Sequence, residues 1–207
     1  MLGTTLRSLS AETLNRRELE MPGHLPLLDD NMQPKGRELI LERALTLYVV
    51  TATSCGFNRE SAVKWLTREG LMHALTPKER AFVLKGEGIA SEFEKQIESL
   101  WALAWMLRIV ERFVFWETCH PVFVNLLPDL IHMQDASTFR QKATSRSTES
   151  MLEELDLAYC LNWIIRDAQL NGRTPPAHLD EDTVVPRRHA LEWVFQDCDW
   201  DDVSLDT

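Results

Sequence analysis

Apolar residues recur at intervals of three and four along most of the chain, the spacing that places side chains on one face of an α-helix. The longest such segments are Arg37–Ser54, residues 92–110 and residues 151–170. A last helix is predicted to begin near Pro186 and to run to Phe195. The pattern therefore predicts an all-α protein, a single globular multi-helix domain with residues 151–170 as its central long helix.

Several predicted helix ends carry residues suited to capping. Asn58 precedes one apolar segment, and Gly70 follows it, where the left-handed turn after a helix favours glycine. Thr76 and Glu79, with Pro77 between them, have the spacing of a capping box around a proline in the first turn. These signals predict two further helices.

Residues 111–134 do not follow the helical pattern. They are rich in Phe, Trp and Val, which favour strands, but no matching strand occurs elsewhere in the chain. We therefore predict short helical turns and loops here.

The 207 residues are enough for one domain with a sizeable core, and 44% of them are hydrophobic. Residues 1–35 are expected to form an N-terminal arm, in which a polar surface helix over residues 4–20 precedes an extended, proline-containing connection. Residues 36–198 form the helical core, and residues 199–207 form an acidic tail.

The net charge of −10 opposes binding to nucleic acid, because the phosphate backbone is bound by Lys and Arg. The same charge favours encounter with a basic partner. The beginning of the sequence has no apolar signal-peptide core, and no later segment is long and apolar enough to span a membrane. We expect a soluble cytoplasmic protein.

The four cysteines are dispersed and form no CxxC pair, which argues against zinc and redox motifs. In a reducing compartment they are expected to pack in the core as small apolar residues. Glycine-rich phosphate loops and the common hydrolase and metalloprotease motifs are also missing. We predict no cofactor and assign no catalytic residue.

Short motifs follow one another in a recognisable order along the chain. They are Glu69-Gly70-Leu71, Leu75-Thr76-Pro77-Lys78-Glu79, Leu100-Trp101-Ala102-Leu103-Ala104-Trp105, Glu154-Leu155-Asp156-Leu157, Trp163, Asp167, Leu170-Asn171-Gly172, Arg187, Ala190-Leu191, Trp193 and Asp199-Trp200-Asp201-Asp202. In these motifs the chain resembles the bacterial family catalogued as domain of unknown function 4272, over nearly its whole length. The resemblance implies a helical domain and identifies no reaction. Pro186 and Glu192 stand where the family pattern has Glu and Asn, so a site that used those groups would be altered here.

The predicted long helix places two carboxylates, Asp156 and Asp167, along one side. Buried charges need partners, so we expect these carboxylates to pair with Arg166, Arg187 or Arg188 in a structural network.

The alternative to such a network is a polar pocket near the C-terminal helices. There His189 and one of the aspartates would exchange protons, because the pKa of histidine lies nearest neutrality. The candidate polar cluster consists of Asp156, Arg166, Asp167, Arg187, His189 and Asp199.

The acidic tail carries Asp199, Asp201, Asp202 and Asp206, whose oxygens are ligands of the kind that Ca²⁺ and Mg²⁺ accept. The tail has neither the turn glycine nor the terminal glutamate of an EF-hand. We therefore predict no metal site, and expect either a solvated end or a tail packed on the helices by Trp200.

Charge and the missing enzyme motifs together favour a non-catalytic interaction protein. It would bind a basic protein partner, for example by neutralising a toxin as an immunity protein does. The alternative is a small-molecule-binding protein or an enzyme that uses the polar pocket described above.

Overall fold

The computed structural model describes residues 2–206, which contain nine α-helices and no strand. The helices are α1 (Leu2–Asn15), α2 (Arg37–Ser54), α3 (Arg59–Arg68), α4 (Pro77–Lys85), α5 (Ala90–Glu94), α6 (Ile97–Met106), α7 (Ser137–Lys142), α8 (Thr148–Leu170) and α9 (Glu181–Phe195). Short 3₁₀ turns lie at Met72–Ala74, Pro121–Leu126, Pro176–His178 and Trp200–Asp202. The all-α prediction is confirmed.

The helices pack in a continuous series. α1 lies on α8, α8 on α9, α9 on α6 and α6 on α2, while α3, α4 and α5 cover the far side of α2. α2 and α6 each lie between other helices, so their buried residues surround the helix instead of forming one stripe. One hydrophobic core therefore extends from α1 to α5.

The first helix differs from the predicted surface arm. Leu6, Ser10 and Leu14 recur every four residues on one face of α1 and are buried against α8. The connection that follows approaches α1 closely: a side chain at Gly3 would lie 2.6 Å from the carbonyl oxygen of Leu28. Three buried side chains in a polar helix are too weak a periodic signal to stand out in the sequence.

The predicted caps are confirmed. The Asn58 side chain accepts a hydrogen bond from the Ser61 amide at 3.0 Å, and Gly70 ends the segment with φ of 73°. Thr76 and Glu79 form the reciprocal capping box at the start of α4. These caps satisfy amides that the helices leave without an internal partner.

The last helix begins five residues before the predicted start at Pro186. Asp180 caps it by accepting a hydrogen bond from the Asp182 amide, and the proline lies inside the helix. Proline removes the donor to the carbonyl four residues earlier, here that of exposed Asp182, where solvent can replace it. The Pro186 carbonyl accepts a hydrogen bond from the Ser99 hydroxyl at 2.8 Å, which joins α9 to α6.

The segment over residues 111–134 consists of turns, loops and the 3₁₀ turn Pro121–Leu126, as predicted. Phe113, Phe115 and Phe123 are buried and secure it to the core. Of the helices in residues 2–206, none is sufficiently long and apolar to cross a bilayer.

Candidate binding site

A cleft of about 930 Å³ opens between the first half of α2, the turn before α4 and the chain after α9. We call it the acidic cleft, because four aspartates of the C-terminal segment line it. The lining residues are Lys35, Leu39, Glu42, Arg43, His73, Ala74, Leu75, Thr76, Pro77, Lys78, Trp193, Asp197, Cys198, Asp199, Trp200, Asp201 and Asp202.

Arg43 forms a fixed part of the acidic cleft. Its guanidinium is buried, forms an ion pair with Glu79 and donates a hydrogen bond to the Ala74 carbonyl at 3.2 Å. The same guanidinium lies 4.8 Å from the ring of Trp200. Arg43 therefore joins α2 to both other walls of the cleft.

Trp200 anchors the C-terminal segment. Its indole is buried and lies edge-to-face with His189 at 4.5 Å and with Trp193 at 5.3 Å between ring centroids. Farther along, Arg188 donates to the Leu205 carbonyl at 3.2 Å. Of the two expected tail conformations, the one packed by Trp200 is observed.

Lys35 holds the beginning of the wall that the C-terminal segment forms. Its ammonium donates to the Trp193 carbonyl at 2.8 Å and to the Gln196 carbonyl, and its amide donates to the Val194 carbonyl at 2.7 Å. This backbone, which carries the acidic side chains, is thus joined to the core before and after Trp200.

The cleft wall presents four exposed carboxylates, Asp197, Asp199, Asp201 and Asp202. Among residues 2–206, none of these four takes part in an ion pair; the carboxylate on the opposite wall, Glu42, lies 3.2 Å from His73 Nε2. The four carboxylates therefore remain available to a ligand.

The structure does not bring the six predicted cluster residues together. Asp156 is buried between α8 and α1, where it accepts hydrogen bonds from Arg7 at 2.9 Å and from the Ser10 hydroxyl at 2.6 Å. Asp167, at the end of α8, pairs with Arg173 at 2.5 Å, and Arg166 is exposed. The expected pairing of both aspartates with Arg166, Arg187 or Arg188 is wrong.

Arg187 and Arg188 pair with carboxylates other than Asp156 and Asp167. Arg187 is buried and pairs with Glu98 of α6 at 2.5 Å, and Arg188 pairs with Glu192 one turn away at 3.1 Å. Glu192, one of the two departures from the family pattern, is therefore the counter-ion of a buried arginine. These pairs stabilise the packing of α9.

His189 packs edge-to-face against Trp200, the residue that follows Asp199. Burial lowers the pKa of His189 to about 4, against a smaller opposing effect of its hydrogen bond to the Trp200 backbone. His189 is therefore neutral at pH 7, and it is not among the residues that line the acidic cleft.

The cysteines differ from the expected uniform core placement. Cys160 is buried, Cys119 and Cys198 are half-buried and Cys55 is exposed, and all four are free thiols. Burial, with smaller effects of nearby carboxylates, raises the pKa of Cys119 and of Cys160 to about 12. These two thiols are therefore protonated and unreactive at neutral pH.

Glu154, a half-buried residue of α8, gives a prediction for the pH dependence of stability. Burial, followed by repulsion from Glu153, raises its pKa from 4.5 to about 7. The folded state then holds the proton more tightly than the unfolded state, so the contribution of Glu154 to stability falls as pH rises through this window. The quantity to compare is the difference in free energy of unfolding between the wild type and the Glu154→Gln variant. We expect this difference to fall by at most about 3 kcal/mol between pH 4.5 and 7.

Urea denaturation of both proteins at several pH values measures this difference. The lowered pKa of His189 acts in the opposite direction, since its contribution to stability is lost as pH falls from 6.5 towards 4. Because both proteins contain His189, its effect cancels in the difference. A difference that does not change with pH would contradict the assignment to Glu154.

A metal site is not formed by the residues that the structure describes, since no group of three or more His, Cys, Asp or Glu side chains is arranged to hold an ion. The aspartates of the acidic cleft all lie within one short segment, residues 197–202. They offer charge to a ligand rather than a coordination sphere.

Comparison with known proteins places the chain in a family without identifying an activity. Neither the curated proteins nor the solved structures provide a significant match to the chain. A family model described as a domain of unknown function matches residues 7–203, which include every wall of the acidic cleft. The chain therefore belongs to the family of the domain of unknown function DUF4272.

Proposed function

We propose that this protein is a non-catalytic cytoplasmic binding protein that receives a basic segment of a protein partner in the acidic cleft. The observation that carries the proposal is the row of Asp197, Asp199, Asp201 and Asp202, exposed on a wall that Trp200 fixes to the core. A lysine or arginine of the partner would form its ion pairs with these carboxylates.

Preorganisation supports this role. Ordering a flexible acidic tail on binding would oppose association, because each immobilised side chain loses conformational entropy. Here Trp200 and the Arg188 contact to the Leu205 carbonyl already order the segment. The carboxylates are therefore presented to the partner with little further loss of freedom.

The charge of the whole chain supports the same class of partner. A net charge of −10 attracts a basic protein over a distance and accelerates encounter, while it repels the phosphate backbone of nucleic acid. Rim charges chiefly change the association rate and its salt dependence. We therefore propose a protein partner and no role in binding nucleic acid.

A defined peptide tests the cleft. We expect the replacement of Asp197, Asp199, Asp201 and Asp202 by Asn to weaken binding of a lysine-rich peptide of about eight residues by about tenfold, because exposed ion pairs each contribute a few tenths of a kcal/mol. Fluorescence anisotropy of the labelled peptide at low and at physiological salt measures the change.

The matched control removes the same number of charges outside the cleft, by replacing exposed Glu20, Glu60, Glu87 and Glu149 with Gln. An equal loss in both variants would show that net charge alone attracts the peptide, and would contradict the proposal. A pull-down from the native host, with the wild type and the Asp→Asn variant as baits, then identifies partners that depend on the cleft.

A small-molecule ligand is the second candidate, because the acidic cleft also contains an exposed cation. Lys78 lines the cleft and has no ion-pair partner among residues 2–206, so a zwitterionic compound would find both signs of charge there. A thermal-shift screen with amino acids and nucleotides tests this candidate, since selective binding to the folded state raises the melting temperature.

A further inference from the structure

A second groove, of about 1050 Å³, lies at the other end of α2. We call it the apolar groove, and it extends from the second half of α2 across the start of α6 to residues 124–134. It is lined by Tyr48, Thr51, Ala52, Cys55, Gly56, Phe57, Asn58, Glu94, Ile97, Val124, Asn125, Leu127, Asp129, Leu130, Ile131 and Gln134. None of these residues lines the acidic cleft.

Aliphatic side chains are exposed along one edge of the groove. Ile131 is 83% exposed and Val124 is 51% exposed, and both line the groove. Val122 and Leu126, in the same 3₁₀ turn as Val124, are also exposed by half or more. A group of exposed aliphatic residues beside a groove is the kind of surface feature that marks an interaction site.

The wall that carries these residues is held in place. The Tyr48 hydroxyl donates to the Pro128 carbonyl at 2.8 Å, and the Trp65 indole donates to the Gln134 carbonyl at 2.7 Å. Within the wall, the Gln134 side chain accepts from the Asp129 amide at 2.9 Å. The exposed aliphatic edge is therefore part of a preformed groove and not the end of a loose loop.

The charges of the groove are all negative. Its lining includes Glu94 and Asp129 and no Lys, Arg or His, although Asp129 pairs with nearby His132 at 2.7 Å. The C-terminal end of α2, around Cys55, adds the negative end of a helix dipole. A cationic occupant complements this field, whereas a second copy of the chain, with its charge of −10, is repelled.

The size of the groove and the secondary structure around it indicate which kind of partner segment it can bind. Residues 2–206 contain no strand that a partner could extend. Polyproline segments bind in aromatic-lined grooves, whereas this groove is lined by more aliphatic than aromatic residues. The volume lies at the upper limit for small-molecule sites, and the exposed aliphatic residues continue beyond its edge. An amphipathic helix laid in the groove fits both features.

We propose that the apolar groove is a docking site for a basic amphipathic helix of a partner protein. Aliphatic side chains of that helix would cover Ala52, Val124 and Ile131, and its Lys or Arg side chains would lie near Glu94. The apolar groove and the acidic cleft lie at opposite ends of α2. This proposal therefore does not depend on the one made for the acidic cleft.

Nuclear magnetic resonance on the ¹⁵N-labelled full chain tests the groove directly. The probe is a synthetic peptide of about 18 residues with Leu and Lys at helical spacing, and a scrambled peptide of the same composition serves as its control. We expect the helical peptide to shift amide resonances of residues 51–58 and 124–134. The double variant V124S/I131S should weaken binding about tenfold or more, because two buried aliphatic contacts are lost.

A matched variant, L84S/L170S, removes two exposed aliphatic side chains outside the groove and should bind the helical peptide as the wild type does. All four substituted positions are exposed, so both variants are expected to fold. Shifts confined to residues 197–202, equal binding of the scrambled peptide, or no binding at all would overturn the proposal.

Two further experiments distinguish a partner helix from other possible occupants of the groove. Co-sedimentation with phosphatidylcholine vesicles that V124S/I131S abolishes, without peptide binding, would overturn the proposal in favour of a membrane surface. Analytical ultracentrifugation that shows a dimer of the wild type and a monomer of V124S/I131S would overturn it in favour of a second copy of this chain.

Discussion

Replacement of Arg187 by Ala is expected to lower the free energy of unfolding by about 3 to 5 kcal/mol. Arg187 is buried, and its guanidinium donates to Glu98, to the Val114 carbonyl and to the Glu117 carbonyl at 2.9 Å. The truncation removes the counter-ion of the buried Glu98 carboxylate, to which the Cys119 amide still donates at 2.8 Å. Urea denaturation at pH 7 measures the loss.

An exposed pair provides the control for this prediction. Arg112 and Glu117 lie 2.6 Å apart on the surface, so Arg112→Ala is expected to change stability by less than about 1 kcal/mol. Replacing both members of the buried pair, as in R187M/E98L, should restore part of the loss, because no buried charge remains. The carbonyls of Val114 and Glu117 still lose their donor. A cost below about 1 kcal/mol for R187A would contradict the buried pair.

Replacement of Trp200 by Ala is expected to lower the free energy of unfolding by roughly 3 kcal/mol, near the lower end for a buried tryptophan because the C-terminal segment can detach locally. The indole contacts His189 and Trp193 and lies beneath the Arg43 guanidinium. Its loss removes the central attachment of the acidic wall. Hydrogen exchange should show lost protection of residues 197–205, and the lysine-rich peptide should bind more weakly.

The conservative variant W200F provides the control, since a smaller ring keeps part of the packing and the interaction with Arg43. It should retain most of the exchange protection and an intermediate peptide affinity. If W200A destabilised the whole chain but left the exchange of residues 197–205 unchanged, the role of Trp200 as the attachment of that segment would be wrong.

Local signals in the sequence predicted the fold class and several helix boundaries. Asn58 and the Thr76–Glu79 capping box act within one helical turn, so their effect depends on neighbours that are visible in the sequence. Pro186 misled the prediction of α9 because proline is common in the first turn of a helix. The cap at Asp180 determines the true start.

Partners of buried charges depend on the tertiary fold. Asp156 is bonded to Arg7, 149 residues away, and Arg187 to Glu98, 89 residues away. A carboxylate on a helix indicates that a cation must lie nearby, but its spacing does not select among the arginines of the chain. The predicted cluster was therefore dispersed, although every buried member did acquire a partner.

The acidic cleft and the apolar groove also depend on the tertiary fold, which limits what the sequence could predict about them. Asp199 was a candidate from the sequence, and it lies in the acidic cleft because Trp200 folds back on α9. The apolar groove had no such signal. Val124 and Ile131 resemble core residues in the sequence, and their exposure follows from the path of the loop that Tyr48 and Trp65 hold.

The packing order of the helices has a consequence for synthesis on the ribosome. α1 rests on α8 and α6 rests on α9, so both helices wait for partners that are translated after them. Chaperone contacts with the nascent chain should therefore persist until residues 181–195 have emerged. The core of this domain is therefore completed only after α9 has been translated.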